Sequence, residues 1–114
     1  MAFDAYLGER IGNLLKQKNV VFLTKKMMGG LVFMVNDKMC CGIHLNKKYG
    51  DHLLMCRIGI EAHAKEIDKK VCLPMDFTGR PMKGYIFITS DGYDLDTDLD
   101  YWIQLALDFN EEIK

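Results

Sequence analysis

Apolar residues recur along this chain with two periods. Phe3, Leu7, Ile11, Leu14 and Leu15 fall on one face of an amphipathic helix over residues 3 to 17. Three runs then read as strands: Leu31 to Val35, Met39 to Leu45 and Leu53 to Ile58. Asn36-Asp37-Lys38 joins the first two as a short polar hairpin connection. Gly29-Gly30 breaks any helix ahead of the first run. Glu61 to Lys69 lacks β-branched residues until Ile67, which suits a short second helix. Val71 to Leu73 and Tyr85 to Thr89 are two further strands, and Ser90-Asp91-Gly92 closes the second with turn chemistry. The clearest stripe comes last: Leu95, Leu99, Trp102, Ala106, Phe109 and Ile113 alternate steps of four and three. Asp94, Asp96 and Asp98 suit the positive end of that helix, with one of them or Thr97 expected to cap it.

The order α-β-β-β-α-β-β-α predicts an α+β domain: a two-layer sandwich in which an antiparallel or mixed five-stranded sheet carries its helices on one face. Strand alternation puts Met39, Cys41, Ile43 and Leu45 on one face of the second strand and Cys40, Gly42 and His44 on the other. The first and fifth strands are apolar on both faces. With helices on one side only, the outer face is expected to seek burial, with Val32, Met34, Cys40, His44 and Met55 as candidate interface residues for a protein partner or a second copy. The competing expectation is that a helix or long loop wraps that face.

The 114 residues suit a single domain, 1–114. The 49% hydrophobic and 27% charged content is that of an ordinary globular chain. The longest apolar run, Leu31 to Val35, is far short of a membrane span, and the first residues carry no secretory pattern. A cytoplasmic setting is expected, with Cys40, Cys41, Cys56 and Cys72 as reduced, buried thiols. The net charge of −1 hides an asymmetry: residues 10 to 90 hold fourteen Lys and Arg against six acids, while residues 91 to 114 hold eight acids against Lys114.

Candidate chemistry concentrates in the segment Pro74 to Gly84, which carries both prolines. Gly79 permits a tight turn and Pro81 stiffens the chain after Arg80, so Arg80 and Lys83 could be presented to a carboxylate or phosphate. The plainer reading has Asp76 pairing with Arg80 or Lys83 and organising the loop itself. Lys25, Lys26 and Arg57 are candidates to join these two in a basic recognition patch. Direct nucleic-acid contact is possible but not favoured, since no groove-entering helix is evident and the pI is about 6.3. His52 and Cys56 share a strand face yet lie about 13 Å apart by strand rise, too far for one metal ion. Cys40 and Cys41 should point to opposite faces, and no Cys-x-x-Cys pair exists. No catalytic residues, cofactor or metal ligands are therefore expected. A small-ligand pocket lined by Met28, Cys56 and the loop is a weaker alternative.

Three segments carry a family resemblance: Lys25 to Leu31, Leu53 to Gly59, and Met75 to Tyr85. In this order and spacing the chain resembles the N-terminal domain of the competence regulator TfoX, also called Sxy. The resemblance implies a bacterial α+β domain with a non-enzymatic regulatory role and no cofactor. Met28 stands where the family usually has Phe, a volume-tolerant exchange. The second domain of the full regulators is expected to be missing, which puts a competence role itself in question.

Overall fold

The computed structural model describes residues 5–27, 30–46, 51–74 and 84–113. In chain order they form α1 (Ala5–Gln17), β1 (Leu23–Met27), β2 (Gly30–Val35), β3 (Lys38–Asn46), β4 (Asp51–Arg57), α2 (Gly59–Glu66), β5 (Cys72–Pro74), β6 (Tyr85–Ile88), α3 (Ser90–Tyr93) and α4 (Asp96–Glu112). The strands make one sheet of order β1-β2-β3-β4-β6-β5, antiparallel at every pairing. The expected α+β class holds. The sheet has six strands, one more than expected, because Leu23–Met27 pairs along β2 as an edge strand. Leu23, Thr24, Lys25 and Lys26 are all exposed, so no apolar alternation marks this strand. Two lysines on an edge disfavour pairing with a copy of the same strand.

Local backbone chemistry sets the turns. Asn19 ends α1 in the left-handed region, with φ 61°. The Val20 N–H then donates to Leu15 O (2.9 Å) and the Asn19 N–H to Lys16 O (3.0 Å), the paired bonds of a Schellman motif. Asn36 and Asp37, with φ 54° and 63°, form a two-residue hairpin turn whose twist matches the flanking strands. Ser90-Asp91-Gly92 opens the short helix α3, where a turn was expected. No side chain caps α4, whose N-cap is Leu95; the expected cap among Asp94, Asp96, Thr97 and Asp98 is not formed.

The described helices pack on one face of the sheet, burying Leu7, Ile11 and Leu15 of α1 and Leu99, Trp102, Ile103 and Ala106 of α4 against Phe33, Ile43, Leu54, Ile86 and Ile88. Polar bonds fix the layers in register. Arg10 donates to the carbonyls of Tyr93 and Asp94, both at 3.0 Å, and to Asp96 Oδ1 at 3.2 Å. Lys18 pairs with Asp100 at 2.6 Å. Asn110, buried in α4, donates to Val35 O at 2.9 Å and accepts from Asn36 Nδ2 at 2.8 Å, tying the β2–β3 turn to the helix. Trp102 Nε1 donates to Gly92 O at 2.9 Å. Gly92 is required there, since a Cβ would stand 2.5 Å from Ile88 Cγ2 and 2.7 Å from Val71 Cβ.

A second, smaller cluster occupies the opposite face. Val32, Leu53, Met55 and Phe87 are buried there within the single chain, with Met34, Met39 and Tyr85 packed around them. Val32 and Met55 are thus already removed from solvent before any partner arrives.

Candidate functional site

The described end of the Pro74 to Gly84 segment docks beside the start of α2. Gly84, at φ +88°, accepts the N–H groups of Ile58 (2.8 Å) and Gly59 (3.1 Å) through its carbonyl, satisfying donors that a helix start leaves open. Gly59 also has φ +87°, and its missing side chain makes room for Phe109, whose ring would lie 2.5 Å from a Cβ. Arg57 closes this junction: its guanidinium lies 5.4 Å from the Tyr85 ring centre and 5.5 Å from that of Phe109. Such stacking attracts the cation to both ring faces. Arg57 therefore joins sheet, loop exit and C-terminal helix.

Arg80 and Lys83 lie outside the described residues, as does Met28. Lys25 and Lys26 do not merge with Arg57. Lys25 pairs with Val32 on the outer face and Lys26 with Leu31 on the helix-covered side, so alternation turns the two lysines apart. Three strand spacings separate Lys25 from the β4 row that holds Met55, about 14 Å. His44 lies on the outer face, stacked on Phe87 at 5.4 Å and 8°, and burial lowers its pKa.

Cys40 is not on the outer face. A bulge between Phe33 and Met34 lets Cys41 face Phe33 while Met39 faces Met34, so Cys40 is the extra residue of β3. This slip carries Cys40 into the helix-side core with Cys41, both 0% exposed, and Met39 to the outer cluster. Strict alternation missed the change of phase. Cys41 faces Cys56 across β3 and β4, and all four thiols are free and buried. A side-chain hydrogen bond between Cys40 and Cys41 lowers the first thiol and pushes the second well up, an effect that burial reinforces at Cys41. Burial also pushes Cys56 well up and Cys72 to about 11. Cys41, Cys56 and Cys72, held protonated in a packed core, are poor nucleophiles and poor metal ligands, and Cys40 is committed to its bond with Cys41 at 0% exposure. Among the described residues no group of three or more His, Cys, Asp or Glu is arranged to hold a metal ion.

A polar clamp bridges α2 and α4 beside Cys72. Tyr101 donates to Glu66 Oε1 at 2.5 Å, and Lys69 meets Glu66 Oε2 at 2.5 Å while lying 4.9 Å from the Tyr101 ring centre. Burial pushes the Glu66 carboxyl up, but the bonds from Lys69 and Tyr101 outweigh it and hold the carboxyl below its usual range. Next to the clamp, a concavity of about 420 Å³ opens between α2 and α4. Leu105 and Phe109 line it together with Ile60, which is 67% exposed. Neither the clamp nor this groove was expected from sequence. The i, i+3 spacing of Glu66 and Lys69 was the visible signal for the first, but Tyr101 lies 35 residues away.

The family model described as the TfoX N-terminal domain matches residues 20–110. The chain therefore belongs to the TfoX N-terminal domain family. No curated protein and no solved structure matches it.

Proposed function

From that membership, we propose that the chain is a regulatory interaction domain that binds a protein partner and carries out no chemistry of its own. The setting proposed is control of gene expression, as in the competence regulators it resembles. The observation that carries this reading is the β1 edge of the sheet, which pairs only with β2 among the described residues. β1 stands last in the strand order, with Leu23 66% exposed and the adjoining Val21 88% exposed. An edge strand offers backbone donors and acceptors to an added strand, and its side chains set the choice of partner. Lys25 and Lys26 are exposed on opposite faces of that edge. They favour an extended partner segment with acidic residues on both faces, because opposite charges across a strand pair attract. Self-association is the less favoured form, since two copies would bring these lysines together.

Affinity capture from the native host tests the proposal with the variant Leu23→Ser/Lys25→Glu/Lys26→Glu, all exposed positions whose exchange leaves the core untouched. A protein held by the parent chain should fall at least about tenfold in the variant, as expected for lost central contacts. Equal capture would refute the edge as the binding surface. Duplex DNA binding that weakens steeply with salt and disappears in the same variant would replace the protein partner with nucleic acid.

A further inference from the structure

We propose that the groove between α2 and α4 is a second docking surface, and that its occupant is a basic amphipathic helix of a protein partner. The groove has an apolar floor and an acidic rim. Ile60, Leu105 and Phe109 form the floor, while Glu61, Asp108 and Glu112 stand around it with Lys65 as the opposing cation. Ile60 is the telling residue: a large aliphatic side chain on the second position of a helix, 67% exposed and beside a cavity of about 420 Å³. A cavity of that size suits a few anchoring side chains, as grooves that receive helices do.

Charge selects the partner's sign. Glu61, Asp108 and Glu112 are all exposed. The last turn of α4 lines the groove and carries no basic residue, so the negative end of its dipole adds to the three rim carboxylates, against Lys65 and the positive start of α2. Glu66, also on the lining, is already committed to Tyr101 and Lys69, and one Asp108 oxygen accepts from Gln104 Nε2 at 2.9 Å, so the rim's charge toward a partner comes from Glu61, Glu112 and the exposed Asp108 carboxylate. A partner helix with leucine-like residues on one face and lysines or arginines flanking them meets both features at once. A second copy of this chain fits less well, because the described α1 and α4 are themselves packed against the sheet by their apolar faces. None of the groove's lining residues belongs to β1, and loss of either proposal leaves the other in place.

The test is a titration of the 15N-labelled protein with a synthetic 18-residue peptide carrying Leu at i, i+3, i+4 and i+7 repeats and Lys elsewhere. A control peptide has the same composition in scrambled order. Amide shifts should concentrate at Ile60, Leu105 and Phe109 and saturate. Ile60→Ser and the double reversal Asp108→Lys/Glu112→Lys should each weaken binding about tenfold, in line with loss of an anchor or of charge complementarity. Both variants change exposed positions, and unchanged circular dichroism will show that they fold. Three outcomes overturn the proposal: equal binding of the scrambled peptide, shifts centred elsewhere, or affinity unmoved by both variants. Groove shifts on concentrating the protein alone would assign the surface to a second copy and overturn it as well.

Discussion

Replacing Asn110 by Ala tests how the helix layer is held to the sheet. The Asn110 side chain is 3% exposed, donates to Val35 O at 2.9 Å and accepts from Asn36 Nδ2 at 2.8 Å. Each such bond contributes about 1 kcal/mol net, and a buried carbonyl left without its donor costs about 1–2 kcal/mol more. Asn36 is exposed and regains water, so the expected loss is about 2–3 kcal/mol. Urea unfolding followed by the fluorescence of Trp102 should show the midpoint falling by about 1.3–2 M with the slope unchanged, for a slope of about 1.5 kcal/mol/M. Asn110→Asp separates donor loss from packing loss. The carboxylate can still accept from Asn36 but cannot donate to Val35 O, so at neutral pH it should cost more than Ala. Burial would raise its folded pKa above the unfolded value. Its penalty should therefore shrink as pH falls through that raised value, where the protonated form regains a donor. A midpoint for Asn110→Ala within about 0.3 M of the parent, or an Asn110→Asp penalty that ignores pH, would show that Asn110 does not hold the helix layer to the sheet.

Gly59→Ala should cost about 2–4 kcal/mol, because φ +87° is strained for Ala and the new Cβ would press into the Phe109 ring; thermal unfolding measures it, and a loss under about 0.5 kcal/mol would contradict the packing. The four thiols should resist an aromatic disulfide reagent in the native state and react together on unfolding, with Cys72, 7% exposed, leading any slow native reaction; prompt reaction of two thiols would contradict their burial. Glu66 has its pKa held down in the folded state, so its stabilising share is present above the ordinary carboxylate range and is lost as pH falls through the folded value. Tyr101→Phe should destabilise by about 1 kcal/mol at neutral pH and flatten the acid limb of stability against pH; an unchanged acid limb would show that the clamp does not carry it.

Pattern in the sequence was enough for α1 and α4, each of which buries one regular stripe against the sheet, and for the strands around Val32, Ile43, Leu54 and Phe87, whose apolar runs are buried on both faces. It failed where a single residue changed the phase. The bulge after Phe33 moves Cys40 from outside to inside, and no local propensity in β3 announces it. β1 was hidden for a different reason: an edge strand with exposed Leu23 and Lys26 has no buried face to leave a pattern. The run Val20-Val21-Phe22-Leu23-Thr24, rich in β-branched residues just after the α1 stop, was the available signal. Of the candidate site, Arg57 was legible as a cation closing a strand, whereas its stacking on Phe109 depends on α4 returning across 52 residues. Ile60 and Phe109 likewise meet at one groove only through the fold.

The most direct test of the interaction-domain reading is photo-crosslinking in the native host, with a photoreactive residue at position 23 and, as control, at exposed Asp91 of α3. A discrete crosslink is expected from position 23 to an extended, acidic segment of one protein, absent from position 91. Crosslinks from position 23 only to nucleic acid, or the same products from both positions, would contradict it.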